Sequence, residues 1–400
     1  MILLKHMKIK SVKASAFQLF LLIILILISG CISDNSFETI IEEIKLKHVP
    51  DTREGVFDVR GKLSGRNKII VSGEVDSEKV KAAINDSLQK RGFDLINNIT
   101  VLPSEVPWPW ALVNLSVANI RASPSHRSEL VNQAILGTPL RILKEEGSWV
   151  FIQTPDRYLG WLDKSSLSGK TDMEMVKWRE SERVIFLNTS GFIKTPETGE
   201  VVSDIVAGAV LENIYAEGDK ANVVLPDGRK GTVFSEDIAP FDLWRNNIKP
   251  LPEKITETAM TMNGFPYLWG GTSVKGIDCS GFTRIVFFLN GLVISRDASL
   301  QARFGQELEV NNGWEVYRPG DLLFFRGDPD GAPGSPVIHV GLYTGDSEYI
   351  HASGMVKINS LDSNRMNYDE YRHSTLQSAR RITPAFYGEG NVPVADHSWY

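Results

Sequence analysis

A glycine-rich loop that runs straight into an apolar helical pattern, with a cysteine at the junction, limits this chain more than any other feature. The stretch Phe265–Thr283 reads FPYLWGGTSVKGIDCSGFT, and Phe282–Leu289 continues it as an apolar run. Asp278-Cys279-Ser280-Gly281 stands at the boundary, so Cys279 is expected in the first turn of a helix. Unpaired backbone N–H groups and the helix dipole favour a thiolate there. The chain has only two cysteines. The other, Cys31, has a separate explanation, which leaves Cys279 as the candidate nucleophile.

Four hundred residues are too many for one ordinary core and imply two to four domains. Hydrophobic residues at 42% and charged residues at 23% are those of a folded globular protein. The net charge of −6 argues against a nucleic-acid partner. Two cysteines so far apart describe neither a disulfide framework nor a zinc site, and no metal or cofactor is expected. Nine tryptophans are many for this length, and several fall in short strand-like segments, where core packing and binding surfaces are both open readings.

The N-terminus reads as an export signal. Lys5, Lys8, Lys10 and Lys13 precede an apolar core, Ala16–Ile28, which is short for a spanning helix. Met7 is an equally good start. Ile28-Ser29-Gly30-Cys31 is similar to the lipobox of bacterial lipoproteins, with cleavage after residue 30 and lipid on Cys31. An uncleaved anchor is the alternative. Isoleucine after Cys31 gives no inner-membrane retention cue.

From 31 to 105 the pattern is a small α/β domain that vaguely resembles a BON-like unit. Phe37, Ile40, Ile41 and Ile44 have helical spacing, and strands are expected near Val56–Arg60, Lys68–Ser72 and Asp94–Val101. Ser77 caps a helix that runs to about Lys90. Proline-rich Pro103–Pro109 marks a boundary. Two runs of short strands follow, over 106–170 and 171–245, the second beginning with a linker helix near Asp172–Arg179. Their spacing suggests two small β-barrels. Asn119-Ile120-Arg121-Ala122-Ser123-Pro124 and Tyr158-Leu159-Gly160-Trp161 resemble bacterial SH3 domains, and the second run lacks both signatures. Pro250-Leu251-Pro252 opens the last domain, 250–388, followed by a tail at 389–400. Helices come first in it and strands after, an α+β arrangement.

A cysteine peptidase needs a base for its thiol and a third group to orient that base. His339 lies in a half-buried strand pattern, and His351 lies twelve residues on in a second. A hairpin through Thr344-Gly345-Asp346 puts both imidazoles on one face.

Residues 250–385 resemble the NlpC/p60 family of cell-wall cysteine peptidases, a papain-like fold. The resemblance rests on Tyr267-Leu268-Trp269-Gly270-Gly271, Asp278-Cys279-Ser280-Gly281-Phe282, Pro319-Gly320-Asp321-Leu322, His339-Val340-Gly341-Leu342-Tyr343 and His351-Ala352, in the family's order. It implies that Cys279 is the nucleophile, His339 the general base and His351 its orienting partner. It also implies that Tyr267 and the Cys279 N–H stabilise the oxyanion. The implied substrates are peptidoglycan stem peptides, cut at the γ-D-glutamyl bond to the diamino acid. Members with preceding SH3 domains and a run like Arg296-Asp297-Ala298-Ser299 resemble enzymes of murein peptide recycling, where the first SH3 domain closes the cleft and favours a free N-terminal L-alanine. That likeness points to Glu129, Tyr158, Asp278, Ser280 and Ser299 as substrate contacts. A solvated Glu129, a packing Tyr158 and a capping Asp278 are the plainer alternatives. The Gly327–Pro336 insertion is long enough for a mobile loop at the cleft rim. Two other functions stay open: a hydrolase of the intact wall that the SH3 pair targets, and a non-enzymatic adaptor. The expected location is the bacterial envelope, anchored to a membrane by lipid.

Overall fold

The computed structural model describes residues 34–400 except 66, 311, 312, 333 and 389. The signal segment and the lipobox at Cys31 lie outside the described residues. The chain divides into two compact units that meet at residues 102 and 103.

In the first unit the apolar spacing sets two helices against one face of a three-stranded sheet. Helix α1 (Asp34–His48) turns Phe37, Ile40, Ile41 and Ile44 inward. They meet Val80, Ile84 and Leu88 of α2 (Glu78–Lys90) and the inner residues of β1 (Phe57–Leu63), β2 (Lys68–Val75) and β3 (Asp94–Val101). Strand β2 is antiparallel to β1 and parallel to β3, with α2 as the crossover. The Ser77 side chain accepts from the Lys79 N–H and caps α2, as expected.

The second unit opens with β4 (Trp110–Val113), β5 (Val117–Arg121), β6 (Leu130–Ile135), β7 (Pro139–Glu146), β8 (Trp149–Gln153), β9 (Leu159–Asp163) and β10 (Leu167–Lys170). They form one sheet in the order β10-β4-β7-β8-β9-β5-β6. Helix α3 (Asp172–Glu180), started by a capping box between Thr171 and Glu174, leads on. The next strands are β11 (Arg183–Phe186), β12 (Ser190–Lys194), β13 (Val201–Val206), β14 (Val210–Glu217), β15 (Lys220–Val224), β16 (Lys230–Phe234) and β17 (Ile238–Pro240). Their order, read from β17, is β17-β11-β14-β15-β16-β12-β13, which repeats the first sheet strand for strand.

Helix α4 (Phe241–Asn247) leads to the α+β part: α5 (Pro252–Met260), the short hairpin β18 (Thr272–Ser273) and β19 (Gly276–Ile277), α6 (Cys279–Leu289), β20 (Leu292–Ile294) and α7 (Ala298–Gln301). Strands β21 (Gln306–Leu308), β22 (Leu322–Arg326), β23 (Val337–Gly345), β24 (Glu348–Ser353), β25 (Met355–Ser360) and β26 (Leu376–Arg381) follow, with α8 (Glu370–Thr375) between the last two. The sheet order is β21-β26-β22-β23-β24-β25. Helix α6 is apolar on most of its surface because it is sandwiched. Phe282, Ile285, Val286 and Phe287 share a core with Val340, Leu342, Ile350 and Ala352 of the sheet, with Ile135 at the end of β6 and with Leu136 just after it.

The segment expected to be a tail is built into the fold instead. Strand β27 (Asn391–Pro393) pairs with β20, and Tyr400 is buried against Phe241 and Phe288. The loop after β22 is also held: the Arg326 guanidinium donates to the carbonyls of Asp328, Pro329 and Ser374.

Candidate active site

Asp278 caps α6, its Oδ1 accepting from the Gly281 N–H at 2.7 Å. The loop and helix touch here, so Gly281 has no room for a side chain: a Cβ would lie 2.1 Å from the Gly271 carbonyl oxygen. The Asp278 Oδ2 accepts from the Gly270 N–H at 2.8 Å, which folds the glycine loop back onto the helix start. Arg296, 1% exposed, completes the knot. It donates to Asp278 Oδ2 at 2.6 Å and Oδ1 at 3.1 Å, to Ser280 Oγ at 2.8 Å and to Asn132 Oδ1 of β6 at 2.9 Å. Both Asp278 oxygens are therefore engaged inside the protein, which fits its plainer reading as a cap better than a substrate contact.

The thiol does not follow its helix position. Burial, then the Asp278 carboxylate, push Cys279 up to about 11, against the opposing pull of the Val340 N–H, the Arg296 charge and the Ser280 backbone. Desolvation therefore opposes the thiolate that the helix start favours. The Val340 contact places the sulfur beside the residue that follows His339.

His339 and His351 reach the same face through a two-residue turn at Asp346-Ser347, both with positive φ, one step later than Thr344–Asp346. Gly341, two residues beyond His339 on β23, leaves the space: a Cβ there would lie 2.7 Å from the Tyr349 ring and 3.4 Å from His351 Cβ. The His339 Nε2 and His351 Nδ1 are 2.7 Å apart, and His351 Nε2 is 2.9 Å from Asn359 Oδ1. Burial, with the Arg372 charge, holds His339 well below the ordinary histidine value. Burial also takes His351 down to about 4, partly offset by Asn359. Tyr267, bridged to Ile277 beside the nucleophile loop, is pushed up to about 12 by burial and by Cys279, so its phenol is a donor at neutral pH.

The first seven-stranded sheet packs against the nucleophile loop. Gln133 of β6 accepts from the Thr272 N–H at 2.9 Å, and Lys275 donates to Ser116 at 2.8 Å and pairs with Asp204. Glu129 accepts from Trp269 Nε1 at 2.8 Å, and the Tyr158 hydroxyl donates to Asp297 Oδ2 at 3.2 Å. Ser280 is buried under Arg296, and Ser299 is half-buried on α7. The sequence reading passed over Trp269, Asp297, Arg296, Asn132 and Asn359 as site residues. The first three lay inside quoted motifs, whereas nothing local marks Asn132 or Asn359. Among the described residues no cluster of His, Cys, Asp or Glu could hold a metal.

A thiol, two linked imidazoles and a neutral phenol over a helix start define a papain-like thiol hydrolase site. The comparisons agree. The NlpC/P60 family profile matches residues 264–375, and the profile of the bacterial dipeptidyl-peptidase SH3 domain matches 120–167. The chain is 28% identical to dipeptidyl-peptidase 6 of Lysinibacillus sphaericus, over 66% of this chain and 97% of that one. It is 29% identical to the γ-D-glutamyl-L-lysine dipeptidyl-peptidase of Bacillus cereus, over 57% and 68%. It is 32% identical to the murein DD-endopeptidase MepS/murein LD-carboxypeptidase of Escherichia coli, over 44% and 89%. A crystal structure of an NlpC/P60 family protein from Bacillus cereus shares the fold, with TM-score 0.59 and 24% identity, over 69% of this chain and all of that one. The chain belongs to the NlpC/P60 family and is a cysteine peptidase.

Proposed function

We propose that this peptidase hydrolyses the γ-D-glutamyl–diamino acid bond of peptidoglycan stem peptides and favours those with a free N-terminal L-alanine, as in murein peptide recycling. The observation that carries the reading is the pair of contacts from the first seven-stranded sheet to the catalytic part, Glu129 with Trp269 and Tyr158 with Asp297. Carboxylates such as Glu129 and Asp297 suit an ammonium group. The bond named for the Bacillus cereus relative suits the same site.

The Cys279 sulfur attacks the γ-carbonyl carbon of the D-glutamyl residue while the thiol proton passes to His339. The carbonyl oxygen takes the negative charge and accepts from the Tyr267 hydroxyl and the Cys279 N–H, a class of contact worth about 3–4 kcal/mol in the transition state. His339 then returns the proton to the leaving amine of the diamino acid, and the C–N bond breaks to leave a thioester. Water, deprotonated by His339, hydrolyses the thioester and restores the thiol. The attack is base-assisted, with burial opposing a charge on either the thiol or the imidazole beforehand. In this reading Ser299 meets the D-glutamyl carboxylate, while Ser280 and Asp278, both held by Arg296, act through it.

The second sheet is a diverged SH3 domain that buttresses the first, a reading supported by their shared strand order. Residues 31–105 serve as a spacer from a lipid-bearing Cys31 on the outer side of a bacterial membrane. The test is hydrolysis of L-Ala-γ-D-Glu-diaminopimelate, its N-acetylated form and intact sacculi by the purified protein. Rapid cleavage of the free peptide alone is expected. Equal rates on free and blocked peptides would remove the amine preference, and release of peptides from sacculi would favour the wall hydrolase.

A further inference from the structure

His351 is fully buried and its outer nitrogen is not left to solvent. Asn359 sits on β25 opposite Tyr349, one diagonal step from His351, whose direct partner is Lys357. Its Nδ2 donates to the Asn367 carbonyl at 2.9 Å, and the Asn367 side chain is itself anchored by donating to Glu348 at 3.0 Å. A backbone carbonyl only accepts, so the Asn359 amide cannot turn over. Its Oδ1 must then face His351 Nε2, 2.9 Å away.

We propose that Asn359 is a positioning residue that fixes the tautomers of both imidazoles and thereby selects Nδ1 of His339 as the base. The chain of donors leaves one arrangement. His351 Nε2 faces an acceptor and carries a proton, so in the neutral ring His351 Nδ1 holds a lone pair. That lone pair accepts from His339 Nε2–H across 2.7 Å. His339 Nδ1 is then bare and takes the thiol proton. Once His339 is protonated, its Nε2–H still donates to His351, and the charge is shared along the chain toward the Asn359 oxygen. An amide performs this without adding a charge that would protonate the pair at rest. The charged groups facing the pair are Arg372, Lys357 and Asp369.

This inference rests on His339 acting as base for Cys279, and its first test needs no substrate. In the full-length protein labelled with 15N-histidine, long-range 1H–15N correlation at neutral pH should show His339 and His351 both protonated at Nε2 and bare at Nδ1. Protonation at Nδ1 of either ring overturns the proposal. Kinetics supply the second test. General-base assistance is worth about 10²–10⁴-fold, so Asn359→Leu should lower kcat by about tenfold or more with KM within about twofold, and His351 should show mixed tautomers. Asn359→Asp keeps the acceptor, so it should keep the tautomers while moving the acidic limb of the kcat/KM profile to higher pH. A purely structural Asn359 would lower only the fraction of titratable thiol, leaving the tautomers and the limb in place, and that result refutes the assignment. Should Asn359→Leu not fold, the wild-type spectrum and the Asn359→Asp limb still decide. A protein with these tautomers that cleaves no γ-D-glutamyl peptide would refute the substrate reading and leave this one standing.

Discussion

On one flank of Cys279 the protein buries full charges, and on the other it buries imidazoles that carry none. The charged flank is Asp278 and Arg296 with Asn132, and it holds the glycine loop, the start of α6 and the first sheet together. The neutral flank is His339, His351 and Asn359. The difference teaches how the site divides its work. Fixed opposite charges that satisfy each other define geometry, whereas the imidazoles that must exchange protons are held toward neutrality by burial.

Removing the charge from the first flank should have the largest effect. Arg296→Met strands a buried carboxylate, which typically costs about 3–5 kcal/mol. Chemical denaturation should show a loss of that size, together with lost activity. An unchanged midpoint would mean that Asp278 finds another partner and that the flank is not a structural hub.

The second flank should show itself in pH. His339 and His351 have folded values below their unfolded ones, so the unfolded chain binds more protons in acid. Their contribution to stability is therefore complete above about 6.5 and is lost as pH falls toward about 4, at about 1.4 kcal/mol per pH unit for each titrating group. Unfolding free energies measured from pH 7 to 4 should follow that slope, and His351→Asn should flatten it. A slope unaffected by the substitution would place the acid sensitivity elsewhere.

The smallest effect belongs to the contact of Glu129 with Trp269. Glu129→Gln should raise KM for a free-amine peptide by about tenfold, or about 1.4 kcal/mol, and leave an N-acetylated peptide unaffected. Equal changes for both substrates would reduce Glu129 to a partner of Trp269.

Much of this was legible in the sequence where local patterns are strong. Ser77, the 3.6-residue spacing of Phe37–Ile44 and the Asp278-Cys279-Ser280-Gly281 junction all gave elements close to those observed. The hairpin that joins His339 and His351 was also readable, though its turn falls one residue later. Strand β6 was not, because Leu130–Ile135 carries Asn132 and Gln133 in its middle. Those polar residues look solvated in sequence, yet they are buried because their partners, Arg296 and Thr272, arrive from more than a hundred residues away. Asn359 escaped for the same reason: its value lies in a diagonal contact across a strand pair. Burial around the helix start, which the sequence does not show, works against the thiolate that the helix position favours. The tail at 389–400 failed because a short polar segment gave no sign of the aromatic pocket that receives Tyr400.

The central claim is that the Cys279 thiol, assisted by His339, cuts one bond. Its most direct test is mass spectrometry of L-Ala-γ-D-Glu-diaminopimelate incubated with wild-type protein and with Cys279→Ala, both shown to be folded. The account predicts L-Ala-D-Glu and free diaminopimelate from the wild type, and intact peptide from the variant. Turnover by Cys279→Ala, or cleavage of any other bond by the wild type, would contradict it.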